Sequence, residues 1–218
     1  MGLFPKIKLK SILNAAPVSD KFGFDRGTPI DRFYIEKFLK DNSKHIKGDV
    51  LEIAENTYTV KFNSGKFQSH ILHNDKTDPK ATIIGDLCDP GTLQENSMDC
   101  FICTQTFNFI YDFKKAIQGS HFLLRKDGVL LATVACMSPI SKYDADRWGD
   151  YWRFTPQSAL KAFSEVFDRA KIEIVPLGNS AAASLFMKGY ALEDLNGDVD
   201  LNINNELFPL IIGIKAVK

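Results

Sequence analysis

The stretch Val50-Leu51-Glu52-Ile53-Ala54-Glu55-Asn56-Thr57 decides how this chain folds. An apolar strand runs into an acidic residue and a small one, then breaks into a polar turn. That is how a parallel α/β sheet presents a backbone-lined pocket to a nucleotide-like ligand. Such turns usually carry several glycines, whereas this one has Ala54 at its corner and bulky Tyr58 just beyond. Its use therefore depends on whether the backbone at position 54 takes a conformation that favours glycine.

Upstream, Thr28-Pro29-Ile30-Asp31 opens a helix. Thr28 is placed to cap it, Pro29 suits the first turn, and Asp31 suits the positive end of the helix dipole. Ile30, Phe33, Tyr34, Phe38 and Leu39 form the apolar stripe, and Gly48 punctuates before the first strand. Strands are expected at about 49–54, 69–73, 81–85, 98–104 and 128–135, separated by helical or irregular stretches such as 111–124. A helix is expected over 156–168, and two late strands near 171–176 and 208–217. A long insertion separates those last two strands. Nothing helical follows the final strand, so it enters the sheet by antiparallel pairing. The expected fold is α/β: a Rossmann-like, doubly wound, mostly parallel seven-stranded sheet with an antiparallel last strand.

The totals exclude several classes. A chain of 218 residues suits one domain, and its 27 basic and 27 acidic residues give no basic excess for duplex nucleic acid. Lys6, Lys8, Lys10 and Lys21 make the first 25 residues a basic arm, read as solvated. Cys100 and Cys103 form a CxxC inside an apolar strand, so they read as buried strand thiols, not a redox or zinc site. The four cysteines indicate no disulfide framework, and no apolar run is long enough to span a bilayer. The expectation is a cytoplasmic protein, monomer or homodimer, without a membrane or nucleic-acid partner. His45, His70, His73 and His121 are scattered, so no metal site is expected.

Ligands of open α/β sheets sit beyond the carboxyl ends of the strands. The first strand ends in Glu52, Ala54, Glu55 and Asn56, the second in His73 with Asp75 close behind, and the third in Gly85-Asp86-Leu87. The fourth ends in Gln105 and Thr106, followed by Asn108. One polar strand end means nothing, but four on one rim make a pocket.

In order and spacing, this constellation resembles the class I S-adenosylmethionine-dependent methyltransferases of the small-molecule and glycan-pathway type, with an atypical first motif. The resemblance runs from about residue 26 to the end. Val50-Leu-Glu-Ile-Ala is similar to the family's first motif. Leu124-Arg-Lys-Asp-Gly-Val-Leu130 is similar to the family's approach to its fifth strand, Leu-Lys-Pro-Gly-Gly-x-Leu, with two substitutions. The resemblance implies S-adenosyl-L-methionine as cofactor, with Glu52 organising its methionine end, His73 standing where a ribose-binding carboxylate is usual, and Asp86 meeting the adenine amino group beside Leu87. It places Gln105 and Thr106 beside the cofactor, with Ala54, Glu55 and Asn56 forming the turn, and sets Arg26 toward the cofactor carboxylate. The cofactor has no pyrophosphate, so bare glycines at a helix N-terminus are not compulsory, and the missing GxGxxG counts against a dinucleotide.

Both tryptophans fall in Tyr143-Asp-Ala-Asp-Arg-Trp-Gly-Asp-Tyr-Trp-Arg-Phe-Thr-Pro156. Thr155-Pro156 reads equally as a helix cap, Phe154 as core and Arg153 as half of a structural ion pair. As a group, Arg147, Trp148, Tyr151, Trp152 and Arg153 form a surface suited to sugars, phosphates or carboxylates. With Tyr34, Asn108 and Tyr111 they are the expected substrate-side residues. By the resemblance, residues 1–25 form an arm and 26–218 one methyltransferase-like domain, with 26–48 a helical lid and 136–156 the acceptor-side segment. The catalytic group is open: Asp144, Asp146, His73 and Tyr111 are candidates. The expected function is methyl transfer to a small-molecule or sugar acceptor, in glycan or secondary-metabolite biosynthesis. The alternative is a catalytically impaired or regulatory methyltransferase-like binding protein.

Overall fold

The computed structural model describes residues 15–195 and 199–218. Lys6, Lys8 and Lys10 of the expected arm lie outside the described residues. In chain order the elements are α1 (Ile30–Asp41), β1 (Gly48–Ile53), α2 (Thr57–Phe62), β2 (Phe67–His73), β3 (Ile83–Ile84), β4 (Met98–Thr104) and α3 (Phe113–Leu123). There follow β5 (Leu124–Ala135), the short α4 (Lys142–Ala145), α5 (Pro156–Phe163), β6 (Ile172–Leu177), α6 (Ser180–Met187) and β7 (Ile211–Val217).

The seven strands form one sheet in the order β3-β2-β1-β4-β5-β7-β6. Strands β1 to β5 are parallel, and β7 pairs antiparallel with both β5 and β6, from Val129↔Val217 to Ala135↔Ile211 on the β5 side. The expected fold class is the observed one. Alternation sends successive side chains to opposite faces, and each face has its own core. Leu51, Phe101, Cys103, Leu130 and Ile212 pack beneath α3 and α5, while Val50, Cys100, Ile102, Leu131 and Ile211 pack beneath α1 and α6. Cys100 and Cys103 stand three apart on one strand and therefore enter opposite cores, both with no exposure. Burial pushes both thiols up, Cys103 to about 12. Helix α1 lies so close to the sheet that a Cβ on Gly213 of β7 would come 2.6 Å from the Phe38 ring.

Three local expectations change. Thr28 does not cap α1; Pro29 holds that position without a side-chain bond, and the Thr28 N–H and hydroxyl donate to Glu193 at 2.7 and 2.8 Å. The insertion between β6 and β7 contains α6, capped by Asn179, whose side chain accepts from Ala182 N at 3.0 Å. Its Ser-Ala-Ala-Ala start has no polar–apolar period to announce a helix. Residues 15–25, where described, are not a free arm. Phe22 lies 5.6 Å from the Phe186 ring, Val18 N donates to Lys188 O at 2.8 Å, and Gly23 takes φ +90 against the Tyr190 carbonyl.

Candidate functional site

Strands β1 and β4 are the neighbours at which the winding of the sheet reverses, and both end in a left-handed residue that is not glycine. Ala54 has φ 65 and Gln105 has φ 49. Glu55 N–H donates back to Ile53 O at 2.8 Å, closing a three-residue turn around Ala54. Gln105 N–H donates to Thr133 O of β5 at 2.8 Å, which holds the β4 corner. Backbone held in this region costs energy and gathers at functional sites. The turn at 54 has thus kept a glycine-type backbone while carrying a methyl group.

The polar ends of β1 to β3 divide into engaged and open groups. Glu52 is only 3% exposed and accepts from Tyr58 N at 3.2 Å, Thr59 N at 2.8 Å and the Thr59 hydroxyl at 2.9 Å. Burial raises its proton affinity, against the pull of the Thr59 and Tyr58 donors. Its carboxylate anchors the start of α2, so in this structure it is not presented to a ligand. Asn56 donates to Ser69 Oγ at 3.0 Å, while Glu55 is exposed. His73 lies 3.6 Å from Asp78, and Asp75 turns onto Thr77. Asp86 is exposed, its Oδ1 accepting from Cys88 N at 2.8 Å, and Leu87 beside it is buried. Thr106 Oγ1 donates to its own strand at Thr104 O, 3.0 Å away.

Beyond β4 and β5 opens a cavity of about 740 Å³. It brings together six of the residues singled out from the sequence: Gln105, Asn108, Arg147 and Arg153, with the catalytic candidates Asp144 and Asp146. The Arg153 guanidinium donates to Asp150 at 2.6 and 2.9 Å and to the carbonyls of Ser138, Pro139 and Trp152, so it clasps the loop between β5 and α5. Burial alone would raise Asp150, but Arg153 and the Ser141 N–H hold its carboxyl below the ordinary value. Arg147 donates to Tyr143 O and lies 3.6 Å over the Tyr143 ring.

Trp148, Tyr111, Tyr151 and Trp152 stand beside the cavity, not in its lining. Trp148 donates to Asp144 at 3.2 Å; Tyr111 meets Tyr151 edge-on at 5.3 Å, and the Trp152 indole donates to Tyr111 O at 3.1 Å. Asn108 O accepts from both Tyr151 N and Trp152 N, fixing this ledge to the cavity wall.

Two expected residues are elsewhere. Arg26 forms a two-pronged pair with Asp194 at 2.7 and 2.8 Å, because the segment before α1 folds onto residues 191–194. Tyr34 has no exposure and faces the core under α1; burial pushes its phenol up to about 12. Sequence reasoning missed Asp31, Arg32, Phe22, Phe24 and Phe186, all of which line the cavity. Only the Asp31-Arg32 pair carried a signal, as adjacent charges at the start of an otherwise apolar stripe. Asp31 Oδ1 and Asn108 Oδ1 are buried without a hydrogen-bond partner. Among the described residues, no group of three or more metal-ligating side chains is placed to hold an ion, and no helix is long and apolar enough to cross a membrane.

No protein-family model and no curated protein sequence matches this chain. Its fold does match solved structures. A SAM-dependent methyltransferase from Archaeoglobus fulgidus shares 10% identity over 86% of this chain and 94% of its own, with a TM-score of 0.53. One from Thermotoga maritima shares 12% over 89% and 94%, with a TM-score of 0.56. The [4+2]-cyclase SpnF shares 12% over 96% and 92%, with a TM-score of 0.54. The fold is that of the class I S-adenosylmethionine-dependent methyltransferases, and SpnF shows that this fold also carries other chemistry.

Proposed function

We propose that this protein binds S-adenosyl-L-methionine and transfers its methyl group to a small-molecule or sugar acceptor. The observation that carries the reading is the pair of left-handed corners, Ala54 and Gln105, at the switch point of a sheet of this order. An alanine held where glycine is favoured means that the turn's shape has been retained against its conformational cost. The residues present fit the cofactor. Asp86 and Glu55 are exposed carboxylates on the rim, able to accept from the adenine amino group and the ammonium, and Leu87 supplies an apolar wall. When bound, S-adenosylmethionine supplies an electrophilic methyl group on a positively charged sulfur.

The cavity beyond β4 would hold the acceptor. Its loop, clasped by Arg153, keeps Asp144 and Arg147 at the wall, and its aromatic lining offers an apolar surface to the acceptor skeleton. Positioning of this kind supplies much of the rate of a displacement reaction. Glu52 supports the site at one remove, by fixing α2 and the Tyr58 phenol to which Arg32 donates at 2.6 Å.

Calorimetry with S-adenosylmethionine and S-adenosylhomocysteine tests the reading. Binding of either, weakened about tenfold or more by Asp86→Ala, is the expected result. Absence of binding by both at millimolar concentration would remove methyl transfer from consideration.

A further inference from the structure

The hydrogen-bonding capacity of the 740 Å³ cavity is uneven. Its guanidinium groups are engaged: Arg153 with Asp150 and three carbonyls, Arg147 with Tyr143, Arg32 with Tyr58. Two of its buried acceptors are not. Asp31 Oδ1 and Asn108 Oδ1 both belong to cavity-lining residues, are sealed from solvent, and have no partner. A buried acceptor left unpaired is costly, so two in one lining mark where the donors of a bound molecule belong. Five aromatic rings share the lining: Phe22, Phe24, Phe109, Tyr143 and Phe186. Aromatic faces attract cations, and a buried carboxylate among them strengthens that preference.

We infer that the cavity recognises an amine-bearing acceptor, whose N–H groups meet Asp31 Oδ1 and Asn108 Oδ1 while its carbon skeleton lies against the aromatic wall. The inference deepens the methyl-transfer reading and rests on it for the fate of the amine, not for its binding. An anion would face Asp31, Asp144 and Asp146, with Arg153 committed to Asp150 and Arg147 exposed to solvent. Lys21 and Lys142 are exposed, where solvent screens their charge. A neutral alcohol carries one donor for two open acceptors. Burial raises the proton affinity of Asp31, opposed by Arg32, and a cationic partner would relieve that cost.

The test uses calorimetry with three probes of one size and different heads: phenethylamine, phenethyl alcohol and hydrocinnamate. Each is titrated into wild type and Asp31→Asn, with and without S-adenosylhomocysteine. Wild type is expected to bind the amine about tenfold more tightly than either other probe, and Asp31→Asn to lose about that factor for the amine alone. The variant should melt no lower than wild type, which a merely structural carboxylate would not allow. Asn108→Ser should weaken the amine in the same direction, which keeps the inference open to refutation if Asp31→Asn fails to fold. Equal affinities, a preference for hydrocinnamate, no binding of any probe, or an amine affinity unmoved by either variant would overturn it. If the amine is selected but S-adenosylhomocysteine does not bind, the methyl-transfer reading fails alone. If S-adenosylhomocysteine binds without amine selectivity, the amine inference fails alone.

Discussion

At residue 54 a methyl group sits on a backbone that favours none. The left-handed region costs a non-glycine residue roughly 1–2 kcal/mol, and glycine recovers that less its own unfolded-state entropy. Ala54→Gly is therefore expected to stabilise the protein by about 1 kcal/mol, a rise of about 2–4 °C in melting temperature for a chain of this size, read by calorimetric unfolding. An unchanged or lower melting temperature would show that the methyl group makes contacts that offset the strain. Glu52, two residues earlier, behaves oppositely. Its oxygens accept three hydrogen bonds, and in Glu52→Gln the amide nitrogen would face a donor. That exchange is expected to cost about 1–3 kcal/mol in urea unfolding. The residue types at 52 and 54 were legible as a turn at the end of a strand. The turning of the Glu52 carboxylate onto α2 was not, because it depends on where Tyr58 and Thr59 come to lie.

Among the elements, the loop from β5 to α5 depends most on a single clasp. Asp150 is almost fully buried and Arg153 partly exposed, at 1% and 28% of the side chain. Removing Arg153 leaves the Asp150 carboxylate without its main partner and releases the Ser138 and Pro139 carbonyls. A fully buried pair broken in this way loses about 3–5 kcal/mol; with Arg153 partly solvated, Arg153→Ala is expected to lose roughly 2–3 kcal/mol. Proteolytic cleavage within 138–153 should accelerate in that variant while S-adenosylhomocysteine affinity holds. Cleavage at the wild-type rate would show that the aromatic ledge alone secures the loop. The neighbouring α5 was readable to the residue at its start: Thr155 Oγ1 accepts from Ser158 N at 3.1 Å and Ser158 Oγ returns the bond. It ends at Phe163, short of the expected 168, although Phe167 still packs into the core. Apolar period tells which residues are buried, not whether a regular helix carries them there.

On the scale of the whole molecule, buried carboxylates set how stability follows pH. The folded state holds the Asp31 proton more tightly than the unfolded chain does. In that case the native state binds more protons over the window above the ordinary value of 3.8, and stability falls as pH rises through it. Asp31→Asn removes that fall. The stability gap between variant and wild type should widen as pH rises above the ordinary aspartate value and then level off, as checked by melting curves from about pH 4 to about pH 8. A gap that is flat or narrows with pH would show that Asp31 is already charged and satisfied in the fold.

The sequence by itself determined the parallel sheet, its antiparallel last strand and the polar rim. Each of these is written in local period, turn chemistry and the order of elements. Only the tertiary structure decided which polar groups remain open. Glu52 and Arg26 looked available but found partners on α2 and at Asp194, and of the two readings open for Arg153 the packing chose the ion pair, with Asp150. Asp31 looked like an ordinary first-turn acid, and its Oδ1 was left buried without a partner. A hydrogen bond between groups distant in the chain leaves no periodic trace. Whether a side chain faces a ligand or a neighbour is therefore settled by packing, after the sheet and its helices are in place.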